Sequence, residues 1–156
     1  MPVIHLVTKI HAPVELCFDL SRSIDLHKIS TEKTNEKAIA GVQSGLITLN
    51  ETVTWEAVHF GIRQRLTTKI TKFERPYFFR DEQLKGAFRY FNHDHTFRQE
   101  NENVIMTDRF EFASPFGWVG KLFDRLVLTR YMTKFLQTRN AVIKDFCESE
   151  KWKKVL

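Results

Sequence analysis

The sequence predicts an α+β domain in which a curved antiparallel β-sheet wraps around a long C-terminal helix. Three observations favour this class. One strand-like stretch is followed at once by two short helical stretches, residues 36–112 then alternate between apolar and polar, and residues 117–149 have helical apolar spacing. Strands joined in series by short turns form an antiparallel meander, and one amphipathic helix can cover such a sheet. This is the helix-grip arrangement.

The first three elements are organised around Pro13. Val3–Ile10 is apolar and β-branched, which is typical of a strand, and Pro13 ends it. Proline suits the first turn of a helix because its missing N–H would have no partner there. A short helix is therefore predicted after Pro13, and the apolar spacing predicts a second one at Ser23–Ile29.

Six further strands are predicted between the second helix and residue 112. Glycine, proline and the polar turn at residues 100–103 mark their boundaries. The predicted strands are Lys37–Ala40, Leu49–Phe60, Ile62–Phe73, Tyr77–Leu84, Phe88–Gln99 and Val104–Phe112.

A long helical region follows Ser114 and extends to about Ser149. Its apolar positions recur at spacings of three, four and seven: Leu122, Leu126, Tyr131, Phe135, Val142, Ile143 and Phe146. The aromatic residues Trp118, Phe123 and Phe135 are predicted to belong to the core, whereas the hydroxyl of Tyr131 could enter a pocket. Residues 1–150 are expected to form one domain, and residues 151–156 a basic C-terminal tail.

Charge and composition narrow the class of protein. The 24 lysines and arginines exceed the 19 acidic residues, for a net charge of +5, but they are spread along the chain. This distribution favours a solvated surface over a nucleic-acid site, and Arg63, Arg65 and Lys69 are predicted to form one solvated strand face. There is no apolar run of the ~20 residues that a membrane helix needs. Without a signal-peptide pattern or a disulfide framework, a cytoplasmic protein, monomeric or homodimeric, is expected.

The candidate site begins in the stretch YFNHDHTF, Tyr90–Phe97. Alternate residues of a strand share a face, so Phe91, His93, His95 and Phe97 are predicted to point inward together. Buried imidazoles need hydrogen-bond partners.

Neighbouring strands offer those partners. Asp108 shares the apolar face of Val104–Phe112, Asp81 shares a face with Phe79, and Trp55 and His59 lie on the inner face of Leu49–Phe60. One concave surface could therefore carry His59, Asp81, His93, His95 and Asp108, provided that no bulge shifts a strand.

Several segments resemble one known superfamily. They are TWEAVHFG (Thr54–Gly61), DEQLKGAF (Asp81–Phe88), FNHDHTF (Phe91–Phe97), MTDRFEFASPFGWVG (Met106–Gly120) and LFDRLVLTRYM (Leu122–Met132). The chain resembles the START-like or polyketide cyclase (SRPBCC) superfamily, in a bacterial branch sometimes labelled "cell division inhibitor"-like. The resemblance implies the helix-grip fold. It also implies binding of molecules such as lipids, sterols, polyketides or quinones, and some members are cyclases.

Three interpretations of the histidines and carboxylates remain. They could form a network that fixes the packing of the sheet, they could anchor the polar group of a ligand in an apolar pocket, or they could hold a metal or transfer protons. We expect a domain that binds a small hydrophobic molecule without a cofactor or metal. In this hypothesis His59, His95 and Asp108 meet the polar end of the ligand, with Asp81 and His93 close by. The remaining expected ligand-binding residues are Trp55, Phe91, Phe97 and Tyr131. The alternative is an enzyme of the cyclase or hydratase type that uses the same cluster.

Overall fold

The computed structural model describes residues 2–156. Its strands are β1 (Val3–Ile10), β2 (Lys37–Gly41), β3 (Thr52–His59), β4 (Ile62–Glu74), β5 (Phe78–Lys85), β6 (Tyr90–Glu100) and β7 (Asn103–Ala113). They form one sheet in the order β1-β7-β6-β5-β4-β3-β2, and every neighbouring pair is antiparallel. The predicted α+β helix-grip class is confirmed.

Two short helices follow β1, as predicted. They are α1 (Val14–Ser21) and α2 (Ile24–Ser30). The hydroxyl of Ser23 accepts a hydrogen bond from the amide of Leu26 at 3.1 Å, which satisfies one of the free N–H groups at the start of α2. Phe18 of α1 is fully buried among three aromatic rings of the sheet, so α1 closes one end of the core.

The C-terminal helical region has three parts. These are α3 (Gly117–Phe123), a π-helical turn at Asp124–Leu128, and α4 (Thr129–Cys147). The amide of Thr129 donates to the carbonyl of Asp124, which is the five-residue spacing of a π-helix. One wide turn therefore interrupts the predicted helix and shifts the faces on either side of it.

This shift corrects part of the sequence prediction. Leu122 and Leu126, predicted on the packed side, are 50% and 63% exposed, and the aromatic residues Trp118 and Phe123 are exposed as well. The π-helical turn is instead anchored to the protein by its first residue, buried Asp124, whose carboxylate accepts a hydrogen bond from the Ser114 amide at 3.0 Å.

Helix α4 carries the packing against the rest of the domain. Its buried residues include Leu136, Ile143 and Phe146, and Cys147 meets Cys17 of α1. Both cysteines are free thiols in the core. The hydrogen bond between them, together with burial, raises the pKa of Cys147.

The chain ends in a short 3₁₀ turn at Glu150–Lys154. Trp152 and Val155 pack against the core, so the residues predicted as a basic tail lie folded along the domain. Among residues 2–156, no helix is both long enough and apolar enough to span a bilayer.

Candidate functional site

A cavity of about 140 Å³ lies inside the grip, between the concave face of the sheet and helices α2 and α4. Val53, Trp55, Ile70 and Phe91 from the sheet and Leu136 from α4 give it apolar walls. Two polar clusters also border it, and each is built from several elements.

The first group, here called the His–Asp cluster, consists of Asp81, His93, His95 and Asp108. Strand register creates it: Asp81 pairs with His93 across β5 and β6, and His95 pairs with Asp108 across β6 and β7. His93 Nε2 lies 2.8 Å from Asp108 Oδ1, and His95 Nε2 lies 2.7 Å from Asp81 Oδ2. The two imidazole centroids are 3.8 Å apart. The predicted inward direction of both histidines is confirmed, since they are 5% and 2% exposed.

Helix α4 supplies two polar residues that the sequence analysis missed. Asn140 donates a hydrogen bond to Asp108 Oδ2 at 2.7 Å, and a guanidinium nitrogen of Arg139 lies 3.6 Å from Asp108 Oδ1. Arg139 also donates to the Ser21 carbonyl at 3.1 Å and lines the cavity. A sequence signal existed. Arg139 and Asn140 follow Leu136 by three and four residues, and Ile143 follows it by seven, so two polar residues interrupt the buried stripe.

The two carboxylates of this cluster are held ionised. Burial alone would raise their pKa values, because a charged group loses hydration. At Asp108 the hydrogen bonds from His93 and His95 outweigh burial and lower the pKa well below its usual range. At Asp81 the hydrogen bond from His95 and the nearby positive charges also lower the pKa.

The two histidines shift in opposite directions. Burial and the charge of His95 lower the pKa of His93 despite its hydrogen bond to Asp108. Burial would lower the pKa of His95 too, but Asp108 and Asp81 outweigh it and raise that pKa. His95 is therefore the side chain of the pair that carries a proton more readily than its neighbour His93.

The same cluster contains a set of possible metal ligands. Asp81, His93 and His95 each offer one donor atom, and these atoms lie within 4.8 Å of one another. Imidazole and carboxylate donors of this kind suit zinc.

The second group, here called the Glu36 cluster, consists of His27, Glu36, His59 and Tyr131. Glu36 Oε2 lies 2.6 Å from His27 Nε2, Glu36 Oε1 lies 3.6 Å from His59 Nε2, and His59 Nδ1 lies 2.5 Å from the Tyr131 hydroxyl. Burial would raise the pKa of Glu36, but the charge and hydrogen bond of His27, helped by His59, lower it to about 2. The His27 ring packs against Trp55 at a tilt of 41° and, like Glu36, lines the cavity.

The structure divides the predicted site residues among three places. Asp81, His93, His95, Trp55 and Phe91 line the cavity. Asp108 is fully buried and reaches the cavity through the two histidines that it binds.

The other three predicted residues lie elsewhere. His59 was expected beside His95 and Asp108, but it joins Glu36 and Tyr131, with its ring against Phe135, which lines the cavity. Phe97 packs against Phe18 and Phe79 in the core.

Comparison with known proteins places the fold. No family model matches the chain, and no curated protein sequence matches it. Several solved structures share its architecture over nearly its full length. A protein of Thermus thermophilus has a TM-score of 0.74 at 16% identity, and the match covers 92% of this chain and 95% of that one.

Two further structures extend the similarity. Major latex-like protein 151 of Panax ginseng has a TM-score of 0.70 at 13% identity, and the match covers 95% of this chain and 98% of that one. Ara h 8.0201 has a TM-score of 0.66 at 9% identity, over 94% and 97% of the two chains. At these identities the similarity is one of fold: this chain has the helix-grip fold that those structures share.

Proposed function

We propose that this protein binds a small hydrophobic molecule with one polar group in the cavity between the sheet and α4. One observation carries the proposal: an apolar cavity of about 140 Å³ onto which Asp81, His93, His95 and Arg139 converge. Ligand sites are mostly apolar with a few placed polar groups. The resemblance to the START-like superfamily supports the same function.

The size of the cavity limits the part of the ligand that it encloses. An apolar cavity of roughly 150 Å³ in another protein accommodates benzene. A single ring or a short branched chain therefore fits this space without movement of α4, and a larger ligand would extend past the helix.

The polar side chains around the cavity limit which polar functional group a ligand can carry. His95 Nε2 lies 2.7 Å from Asp81 and its Nδ1 lies 3.3 Å from Asp108. Arg139, His93 and Asp81 line the cavity beside it and can contact a ligand. Guanidinium donates hydrogen bonds and carboxylate accepts them. A hydroxyl group that accepts from Arg139 and donates to Asp81 matches this pair.

Filling the cavity tests the proposal. Val53 of β3 lines the cavity, whereas Val58 of the same strand is 43% exposed. We expect p-cresol to bind the wild type more tightly than toluene, which has the same shape without the hydroxyl, as measured by amide shifts in NMR titrations. Val53→Phe should weaken p-cresol binding by about tenfold or more, and the matched Val58→Phe should not.

The contrary result is equally clear. Thermal unfolding first establishes that both variants are folded. A folded Val53→Phe protein with unchanged p-cresol binding would contradict the proposal. So would a wild type that binds no p-cresol and that, purified from its own host, retains no small molecule in native mass spectrometry.

One observation favours a second function, proton-transfer catalysis of the cyclase or hydratase type. Adjacent groups whose pKa values are driven apart are suited to act as acid and base, and His93 and His95 form such a pair. In that case His95→Ala and Asp108→Ala should still bind the molecule retained from the host but should no longer convert it. Variants that only unfold more easily, with no ligand found, would identify the cluster as a packing network.

A further inference from the structure

An exposed surface of apolar and basic residues extends from the β3–β4 turn across α3 and the π-helical turn. We propose that this surface docks the protein onto an anionic lipid bilayer. It comprises Phe60, Phe116, Trp118, Val119, Lys121, Leu122, Phe123, Arg125, Leu126 and Val127, and it is called the docking surface below.

Its apolar members are exposed to an unusual extent. Phe116 is 82% exposed and Trp118 is 76% exposed. Trp118, Leu122 and Leu126 follow one another at four-residue intervals, so they form a row along the outside of the helical segment. An in-plane helix with Trp, Phe and Leu on one side and basic residues at its flank is the usual form of an interfacial membrane anchor.

The charges on this segment have one sign. Between residues 116 and 134 the exposed charged side chains are Lys121, Arg125, Arg130 and Lys134. The one acidic residue in that range, Asp124, is buried and bonded to Ser114. A cationic margin around exposed apolar side chains complements an anionic lipid surface, which attracts lysine and arginine side chains.

The backbone gives an independent reason to regard these aromatics as functional. Among residues 2–156, five non-glycine residues have positive φ. Three of them are asparagines, which tolerate this conformation, and the other two are Phe60 (φ 53°) and Phe116 (φ 73°). Both phenylalanines belong to the docking surface. The chain thus keeps an exposed bulky ring at the two turns where asparagine would fit the backbone better.

A bilayer suits this surface better than a second copy of the chain. An isologous dimer through the docking surface would bring the same basic residues face to face, which repels. Nucleic acid would leave the aliphatic side chains Val119, Leu122 and Leu126 without a partner. A bilayer takes up the apolar row and pairs the lysine and arginine side chains with lipid headgroups.

The docking surface is continuous with the side chains around the cavity. Phe60 lies 5.9 Å from Phe123 and 4.6 Å from Tyr131 between ring centroids, and Tyr131 stacks on Phe135, which lines the cavity. Docking would place this end of the cavity at the lipid. The docking proposal stands on other residues than the ligand proposal, so either can fail alone.

Vesicle flotation tests the proposal with the full chain. We expect the protein to bind vesicles of phosphatidylglycerol and phosphatidylcholine in equal parts, to bind phosphatidylcholine alone far less, and to dissociate as salt is raised. Phe116→Asn with Trp118→Gln should reduce binding by about tenfold or more. The matched control is Tyr77→Gln, an aromatic residue 57% exposed just beyond the opposite end of β4 from Phe60.

Charge-reversal variants distinguish the contribution of the docking surface to vesicle binding from that of the net charge of the protein. Lys121→Glu with Arg125→Glu should reduce binding by about tenfold or more. Lys33→Glu with Lys154→Glu changes the net charge equally at exposed positions elsewhere and should have little effect.

A stability measurement distinguishes a docking role from a structural one. Because asparagine suits positive φ and Phe116 is 82% exposed, Phe116→Asn should leave the melting temperature unchanged or raise it while vesicle binding falls. A loss of stability in this variant together with unchanged vesicle binding would overturn the proposal. So would failure of the wild type to bind anionic vesicles, or a dimer in analytical ultracentrifugation that the Phe116 and Trp118 substitutions dissociate without any vesicle binding.

Discussion

His95 is held between two carboxylates, one on each neighbouring strand. Its two ring nitrogens lie 2.7 Å from Asp81 and 3.3 Å from Asp108. Both carboxylates favour the imidazolium, and together they outweigh the effect of burial, so the pKa of His95 lies above its ordinary value of 6.5. The interaction of protonated His95 with the two carboxylates therefore stabilises the folded state fully below pH 6.5. This contribution to the free energy of unfolding is lost as pH rises through the raised pKa of His95.

The first prediction concerns this histidine. Asp81→Asn should lower the pKa of His95, because the amide cannot stabilise the imidazolium as a carboxylate does. NMR titration of the imidazole resonances measures it. Asp94→Asn is the matched control, since Asp94 is the neighbour of His95 on β6 but pairs with Arg80 on the outer face. An equal change in both variants would contradict the assignment of Asp81 as the partner.

The sequence predicted the direction of these side chains because a strand has a fixed period of two. Phe91, His93, His95 and Phe97 are all buried, as the alternation required. The sequence did not predict the pairing of each imidazole, because that depends on strand register. Register follows from the turns and the packing of the whole sheet.

At the scale of elements, the helical region after the sheet shows what periodicity cannot predict. A single π-helical turn at Asp124–Leu128 adds one residue to the hydrogen-bonded ring. The apolar spacing predicts Leu122 and Leu126 on the packed side of the helix, whereas both are exposed. The buried stripe of α4, in which Arg139 and Asn140 replace apolar residues, was present in the sequence and could have been recognised.

Gly120 fixes how α3 approaches the loop before it. A Cβ at this position would lie 2.0 Å from the Pro115 carbonyl oxygen, closer than any real contact. We predict that Gly120→Ala displaces α3 and lowers the free energy of unfolding by about 2 kcal/mol, as overpacking does. Chemical denaturation measures this, with Lys121→Ala as an exposed control in the same turn. Equal stability of the two variants would show that α3 can move without cost.

At the scale of the whole molecule, the Glu36 cluster joins parts of the chain that are far apart in sequence. Glu36 precedes the edge strand β2, and its partners come from α2, β3 and, through His59, from α4. No local pattern identifies such a cluster, since each member is a single polar residue in its own element. The curved sheet brings them together, which is why sequence reasoning grouped His59 with the wrong partners.

The pKa of Glu36 makes this contact sensitive to acid. A pKa lowered from 4.5 to about 2 means that the carboxylate stabilises the fold above pH 4.5 and loses this effect as pH falls toward 2. We predict that Glu36→Gln costs up to about 3 kcal/mol at pH 7, and that the difference from the wild type shrinks by pH 3. Urea unfolding at both pH values measures it.

The control for this prediction lies one turn earlier in the chain. Glu32 is exposed in the short 3₁₀ turn at Glu32–Thr34, so Glu32→Gln should change stability little at either pH. A Glu36→Gln effect of the same size at pH 7 and pH 3 would mean that packing, not charge, is what Glu36 contributes.

The thiols of Cys17 and Cys147 are in contact where α1 meets α4, and both side chains are buried. Alkylating reagents attack the thiolate and need access to it. The rate at which iodoacetamide labels these residues therefore reports how often α1 and α4 separate. A ligand that enters past α4 would have to open the same contact. The rate of exchange of a bound molecule can therefore be compared directly with the rate of thiol labelling.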